Sequence, residues 1–96
     1  MKQAKTLVLE ELVDLYLKQM GFDRKFKEME ACKAWPEVAG KVIAGYTSEV
    51  KMVGEKLVVH FTSPVVKNEI MMVKEGLVKA LNDKIGEQVV KDLVCR

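Results

Sequence analysis

Histidine and cysteine are scarce in this sequence, which has one His and two Cys in 96 residues. Cys32 and Cys95 are far apart and lack the Cys-x-x-Cys spacing typical of zinc and redox sites. His60 has no second imidazole to share a metal with. Unpaired, widely spaced cysteines are typical of reduced thiols, although the sequence leaves a Cys32–Cys95 disulfide open. We therefore expect no metal and no cofactor.

Long apolar runs are also lacking. No stretch approaches the roughly 18 apolar residues that cross a bilayer. Near the start of the chain, Glu10, Glu11 and Asp14 interrupt the region where a signal peptide would need its apolar core. We expect a cytoplasmic protein. With 49% apolar and 31% charged residues, the chain is expected to fold as one domain over residues 1–96.

The sequence contains no motif of a phosphate-binding loop, a dinucleotide fold, a zinc protease or a serine hydrolase. Gly40 and Gly45 are five residues apart, but the lysine follows the first glycine, whereas a phosphate-binding loop places it after the second. Nothing pairs a nucleophile with a base. We therefore expect that the protein is not an enzyme.

Apolar residues recur with helical spacing in the first half of the chain. The spacing predicts one helix over residues 6–20, ended by Gly21, and a second over residues 23–35 that buries Phe26 and Met29. The second helix is expected to end before Pro36, because the residue preceding a proline disfavours helical geometry.

The stretch around the single tryptophan is expected to form a corner of the fold. Trp35 is predicted to anchor the core, and Pro36 to redirect the chain into a short third helix. Gly40 and Gly45 are expected to allow close backbone approach.

The apolar period changes to two after Thr47, which predicts an antiparallel hairpin that turns at Gly54. Leu57 and Val59 are expected to face the helices, and His60 the open side of the sheet, where its ring could stack on a base. The competing interpretation of His60 is a partly exposed structural side chain.

Ser63-Pro64 begins the next helix, since a capping hydroxyl is followed by proline at the first helical position. The apolar pattern continues to Ile85, Gly86 ends the helix, and residues 89–95 suggest a last strand. The order α-α-(short α)-β-β-α-β predicts an α+β domain with helices on one face of a small mixed sheet.

Basic residues are spread evenly along the chain, and fourteen of the sixteen are lysine. Lysine contacts phosphates as a point charge, so any nucleic-acid binding is expected to be independent of sequence. The competing interpretation is an ordinary solvated surface. The candidate nucleic-acid contacts are Arg24, Lys25, Lys27, Lys41, Lys51, Lys56, His60, Lys67 and Lys74.

A series of short motifs over about residues 5–96 resembles the DciA-like family, formerly catalogued as a domain of unknown function. In order, the motifs are WPEVAG at 35–40, IA at 43–44, Thr47, GEKLVV at 54–59, Ser63, EI at 69–70, LN at 81–82 and Gly86. The resemblance implies a KH-like fold and a role in bacterial DNA replication, in which members help to load the replicative helicase and bind DNA.

The sequence departs from the family pattern in three places. The loaders carry a C-terminal extension that engages the helicase, whereas this sequence ends at Arg96 just after the predicted last strand. Relatives often have a second Trp where this sequence has Pro64-Val65-Val66, and the GxxG clamp of ordinary KH domains is missing.

The leading hypothesis is a non-enzymatic accessory module that binds DNA, prefers single strands or forks and ignores base sequence. The replicative helicase is a further candidate partner. The alternative hypothesis is a protein-interaction adaptor without nucleic-acid binding, which would use Met71, Met72 and Val78 or an edge strand.

Overall fold

The computed structural model describes residues 11–12 and 22–96. Glu11 and Leu12 are helical. The rest of the helix predicted over residues 6–20, with its stop at Gly21, lies outside the described residues.

From residue 22 onward the described chain alternates helical and extended segments in the predicted order, as an α+β fold. The elements are α1 Phe22–Ala39, α2 Lys41–Gly45, β1 Thr47–Val53, β2 Lys56–Phe61, α3 Pro64–Met72, α4 Lys74–Ile85 and β3 Asp92–Cys95. Within these described residues, no helix combines the length and apolar character that a membrane crossing requires.

The three strands form one mixed sheet in the order β1-β2-β3. β1 and β2 are antiparallel and are joined by a two-residue turn, in which Gly54 has a φ of 63°. Only glycine adopts that conformation without strain. β2 and β3 are parallel, with Val58 opposite Val94. β2 is therefore the central strand, and β1 and β3 are the two edges.

The helices pack on one face of this sheet, as predicted. Leu57 and Val59 of β2 and Leu93 of β3 are at most 2% exposed and belong to the core cluster. α3 contacts β2 and β3, and α4 contacts α1 and β3. Residues that alternate with these on the strands, including Lys51 and His60, therefore lie on the opposite face.

Trp35 is fully buried and connects three elements. Its indole Nε1–H donates to Oγ1 of Thr47 at 3.2 Å, and that hydroxyl donates to the carbonyl of Ile43 at 3.0 Å. The ring meets Phe61 edge-on, with centroids 6.2 Å apart. Trp35 thus joins α1 to the end of α2 and to both strands of the hairpin.

The sequence predicts that this helix ends before Pro36, but α1 runs through Pro36 to Ala39. Proline lacks the N–H that would bond the preceding turn, yet its carbonyl accepts from the N–H of Gly40 at 3.0 Å. The burial of Trp35 directly before the proline keeps this turn helical, because tertiary packing outweighs the local preference.

The expected burial of Phe26 and Met29 is wrong, since they are 58% and 57% exposed. The buried stripe of α1 is instead formed by Ala31, Ala34 and Trp35. At about 100° per residue, Phe26 and Met29 lie more than roughly 130° around the helix from Ala31. α1 therefore carries a second apolar face that the core does not use.

The sequence predicts a close backbone approach at the two glycines of the corner, and this prediction is wrong. A Cβ added to Gly40 or Gly45 would meet no atom within 4 Å. Gly40 has a φ of 91°, so it is needed for the conformation that separates α1 from α2.

The long helix predicted from Pro64 to Ile85 is broken at Val73, whose φ and ψ are −116° and 14°. The N–H of Val73 donates to the carbonyl of Ile70, three residues back, at 3.1 Å. The break allows Ile70 to pack beneath the sheet while α4 packs against α1. The apolar period continues across Val73, which is why the sequence predicts a single helix.

Asn82 holds the segment that leads into β3. It is 4% exposed, and its Oδ1 accepts from the N–H groups of Val89 and Val90 at 2.9 Å each. Its Nδ2 donates to the carbonyl of Val90 at 2.8 Å. Gly86 ends α4 in the left-handed conformation, so the chain turns back over Asn82 and enters the sheet parallel to β2.

Replacing Trp35 with Ala is expected to lower the free energy of unfolding by about 3–5 kcal/mol, because it leaves a large cavity in the core. Phe26→Ala removes an aromatic ring from the exposed side of the same helix and should change stability by no more than about 0.5 kcal/mol. Urea unfolding followed by circular dichroism measures both. Equal stabilities for the two variants would contradict the role of Trp35.

Candidate nucleic-acid interface

A groove of about 490 Å³ lies between α1 and the edge strand β1. The α1 side is formed by Lys25, Glu28, Met29, Cys32 and Lys33, and the β1 side by Val50, Lys51 and Met52. Lys25, Met29 and Lys33 are four residues apart, so they follow one diagonal of the helix. The groove exists because the unused side of α1 stands beside the edge of the sheet.

The floor of the groove is apolar. Met29 and Cys32 form it on α1, and Val50 and Met52 form it on β1. Val50 is opposite Val59 in the sheet register, and both strand residues pack against the core cluster. The floor is therefore rigidly supported, and the flat face of an organic ring is the kind of ligand that it suits.

The rim of the groove is positively charged. Among the described residues, no carboxylate lies within 4 Å of the ammonium groups of Lys25, Lys33 or Lys51. Glu28, which also lines the groove, has a carboxylate oxygen 3.5 Å from Nε of Arg24. Lys25 and Lys33 present their charges from α1, whereas Lys51 borders the groove from the edge strand, with its side chain on the other face of the sheet.

The other predicted cations at the start of α1 are compensated within the protein. Arg24 is paired with Glu28, and Nζ of Lys27 lies 3.9 Å from both Glu30 and Glu87. Arg24 and Lys27 line a separate pocket that also contains Glu87. The structure therefore separates them from Lys25, which faces the groove.

The predicted cations on α3 and α4 lie at the opposite edge of the sheet. Nζ of Lys74 is 3.4 Å from Asp92 at the start of β3. Burial raises the pKa of the Cys95 thiol on β3, and Lys74 and Lys67 are close enough for their charges to oppose part of that rise. Lys41, at the start of α2, is exposed and does not line the groove.

Lys56 and His60 lie on the face of the sheet opposite the core helices, as the register predicts. His60 is 33% exposed, and its Nε2 lies 3.9 Å from Oε2 of Glu49, the residue opposite it. Nε2 is itself buried and has no hydrogen-bond partner among the described residues. Only part of the ring is accessible for stacking.

Lys33 was missed as a candidate, although it belongs to the groove as much as Lys25 does. The signal in the sequence is its spacing from Lys25 and Met29. That spacing indicates a shared surface only once the exposed side of α1 is known. The sequence predicts that Met29 is buried, which would separate the two lysines from any such surface.

Both cysteines are free, partly exposed thiols whose pKa values are raised. Burial is the main cause for each. At Cys32 the backbone N–H of Met52 opposes the shift, and the charge of Glu28 adds to it. At Cys95 the positive charges of Lys74 and Lys67 oppose it. Within residues 11–12 and 22–96, no group of three His, Cys, Asp or Glu side chains is placed to hold a metal ion.

Some of the residues predicted to dock a protein partner are exposed in the structure, and one is partly buried. Met71, Met72 and Val73 are 50%, 85% and 54% exposed at the junction of α3 and α4. Val78 is partly buried and packs against the core cluster, so its expected part in an exposed surface is wrong.

Comparison with protein families gives a match over most of the chain. The family model described as Dna[CI] antecedent, DciA, matches residues 8–95. No curated protein matches the chain significantly.

Burial of the two thiols predicts slow alkylation and a pH-dependent stability. Their pKa values are higher in the folded than in the unfolded protein, so the unfolded state loses its thiol protons first. The free energy of unfolding should therefore fall as the pH rises from about 8 to 10, around the unfolded thiol pKa.

Iodoacetamide reaction rates, measured against pH for each cysteine by mass spectrometry, should show midpoints above that of the urea-unfolded chain. The Cys32→Ser/Cys95→Ser variant should lack the thiol contribution to the fall in stability. Identical midpoints in the folded and unfolded chains would contradict the shift.

Proposed function

The chain belongs to the DciA family, which is associated with helicase loading in replication, and from this premise we propose that it is a non-enzymatic accessory module that binds single-stranded DNA in the groove between α1 and β1. The observation that carries the proposal is the combination of an apolar floor with three bordering lysines that have no carboxylate within 4 Å among the described residues. The proposal includes a cytoplasmic location, since such a module acts beside replicating DNA.

The chemistry of the groove suits a single strand. Lys25, Lys33 and Lys51 neutralise backbone phosphates, and the faces of unstacked bases rest on the side chains of Met29 and Met52. Unstacked bases offer apolar faces that a duplex hides in its base stack. A duplex would reach only the lysine rim, so its affinity should be lower.

The groove is not equipped to select a base sequence. The described part of its lining contains no arginine, asparagine or glutamine, the side chains that make paired hydrogen bonds to base edges. In the same described lining, Glu28 is the one acidic group, and it is engaged by Arg24. Binding should therefore depend on the number of phosphates reached rather than on the bases.

Lysines outside the groove have a secondary role in this proposal. Among the described residues, Lys56 and Lys67 have no carboxylate within 4 Å, and they add to the positive field that attracts DNA. Arg24, Lys27 and Lys74 contribute less, because each already has an acidic neighbour.

Lys33→Glu is expected to weaken the binding of a labelled single strand by about tenfold or more at low salt, because it places a negative charge on the groove rim. Lys79→Glu changes the net charge equally on the exposed surface of α4 and should alter the affinity by no more than about twofold. Fluorescence anisotropy at several salt concentrations measures both.

With three phosphates contacted, the logarithm of the association constant should fall by roughly two units per tenfold increase in salt. Equal losses in the two variants would show that only net charge matters and would remove the groove from the proposal. No binding of DNA at low salt would reject the function and favour the adaptor hypothesis.

The two thiols report where the DNA lies. Cys32 is in the floor of the groove, whereas Cys95 is on β3, at the other edge of the sheet. A saturating single strand should slow the alkylation of Cys32 by at least about fivefold and leave Cys95 unchanged, since only Cys32 becomes covered. Protection of Cys95 alone, or of neither thiol while DNA is bound, would place the interface elsewhere.

A further inference from the structure

The junction of α3 and α4 exposes three consecutive apolar side chains, Met71, Met72 and Val73, which we call the methionine corner. Their exposed fractions are 50%, 85% and 54%. Together with Lys74, Glu75 and Gly76 they border an open hollow of about 530 Å³. Three adjacent apolar residues left in solvent at one point of the surface are unusual and mark a contact site.

The fold does not need these three residues for its core. Ile70, directly before them, is 6% exposed and belongs to the core cluster, and Leu77, after them, packs against it. The helix break at Val73 turns the three side chains between these positions outward. Flexible methionines at an exposed break are well suited to packing against varied apolar side chains.

Two carboxylates, Glu69 and Glu75, flank the methionine corner along the chain, and Lys67 is one helical turn before Met71. Glu69 is on the same exposed stripe of α3 as Val65 and Met72, at spacings of four and three residues. Among the described residues, neither Glu69 nor Glu75 has a cationic group within 4 Å. Lys74, which borders the hollow, has its Nζ 3.4 Å from Asp92.

From this apolar centre with uncompensated carboxylates beside it, we propose that the methionine corner docks an amphipathic helix of a protein partner, with Lys or Arg flanking its apolar face. A helix fits because it can meet the exposed side chains of the corner without main-chain hydrogen bonds, which this helical junction does not offer.

The methionine corner and the groove are separate surfaces. The pairing of Lys74 with Asp92 places the corner beside β3, whereas the groove lies at β1 on the other edge of the sheet. The carboxylates of Glu69 and Glu75 repel phosphates, so the corner disfavours DNA. The inference goes beyond the proposed function, because this surface leaves the DNA groove open while a partner is docked.

The probe is a fluorescein-labelled synthetic helix of about 18 residues, with leucines along one face and lysines beside them. Its matched control replaces every lysine with glutamate. The whole chain should bind the basic peptide at least tenfold more tightly than the acidic one. Glu69→Gln with Glu75→Gln should reduce the affinity for the basic peptide and its dependence on salt.

Two methionine variants test whether the peptide binds at the methionine corner. Met72→Gln should weaken basic-peptide binding at least fivefold and leave single-stranded DNA affinity unchanged. Met29→Gln makes the same substitution at a similarly exposed helical site in the groove, and it should leave peptide binding unchanged. Circular dichroism confirms that both variants fold.

Three results would overturn the inference. They are equal binding of the acidic and basic peptides, equal effects of Met72→Gln and Met29→Gln on peptide binding, and a loss of DNA affinity in Met72→Gln as large as that in Met29→Gln. A chain that binds the basic peptide at Met72 but no DNA would support the inference while rejecting the proposed function.

Discussion

The buried indole of Trp35 fixes the distance between α1 and the sheet, and the groove depends on that distance. Its N–H is satisfied by Thr47 at the start of β1, and the same hydroxyl continues to the carbonyl of Ile43. A buried donor without a partner is costly, so the ring can occupy this position only when α1, α2 and β1 are assembled together. The side of α1 that faces away from the core is thereby held beside the edge of β1, so that Lys25 and Lys33 border the same groove as Lys51 of the edge strand.

Much of the fold could be predicted from the sequence because local and tertiary preferences agree along most of it. The hairpin at Gly54 and the helix start at Ser63-Pro64 are examples, since turn chemistry, capping and apolar period indicate the same structure. The predictions fail at Pro36 and Val73, where local and tertiary preferences disagree. At Pro36 the packing of Trp35 keeps the helix intact, and at Val73 the need to pack α3 and α4 on different neighbours breaks it.

The candidate site was less accessible to prediction, because charge compensation is a tertiary property. The pairing of Lys27 with Glu87 and of Lys74 with Asp92 joins residues far apart in sequence, and nothing local marks these lysines as compensated. Lys25 and Lys51 were among the predicted contacts, but only the packing of α1 beside β1 brings them together. The identity of the charges can thus be read from the sequence, whereas their availability cannot.

The position of β3 has a consequence for the order in which the protein is assembled. The hairpin pairs neighbours in the chain and can close within microseconds, whereas β3 reaches β2 only after α3 and α4 have been made. During synthesis the outer edge of β2 is therefore unpaired until the last strand emerges from the ribosome. In the folded protein, Asn82 binds the main chain of Val89 and Val90 ahead of β3 and so holds in place the strand that covers this edge.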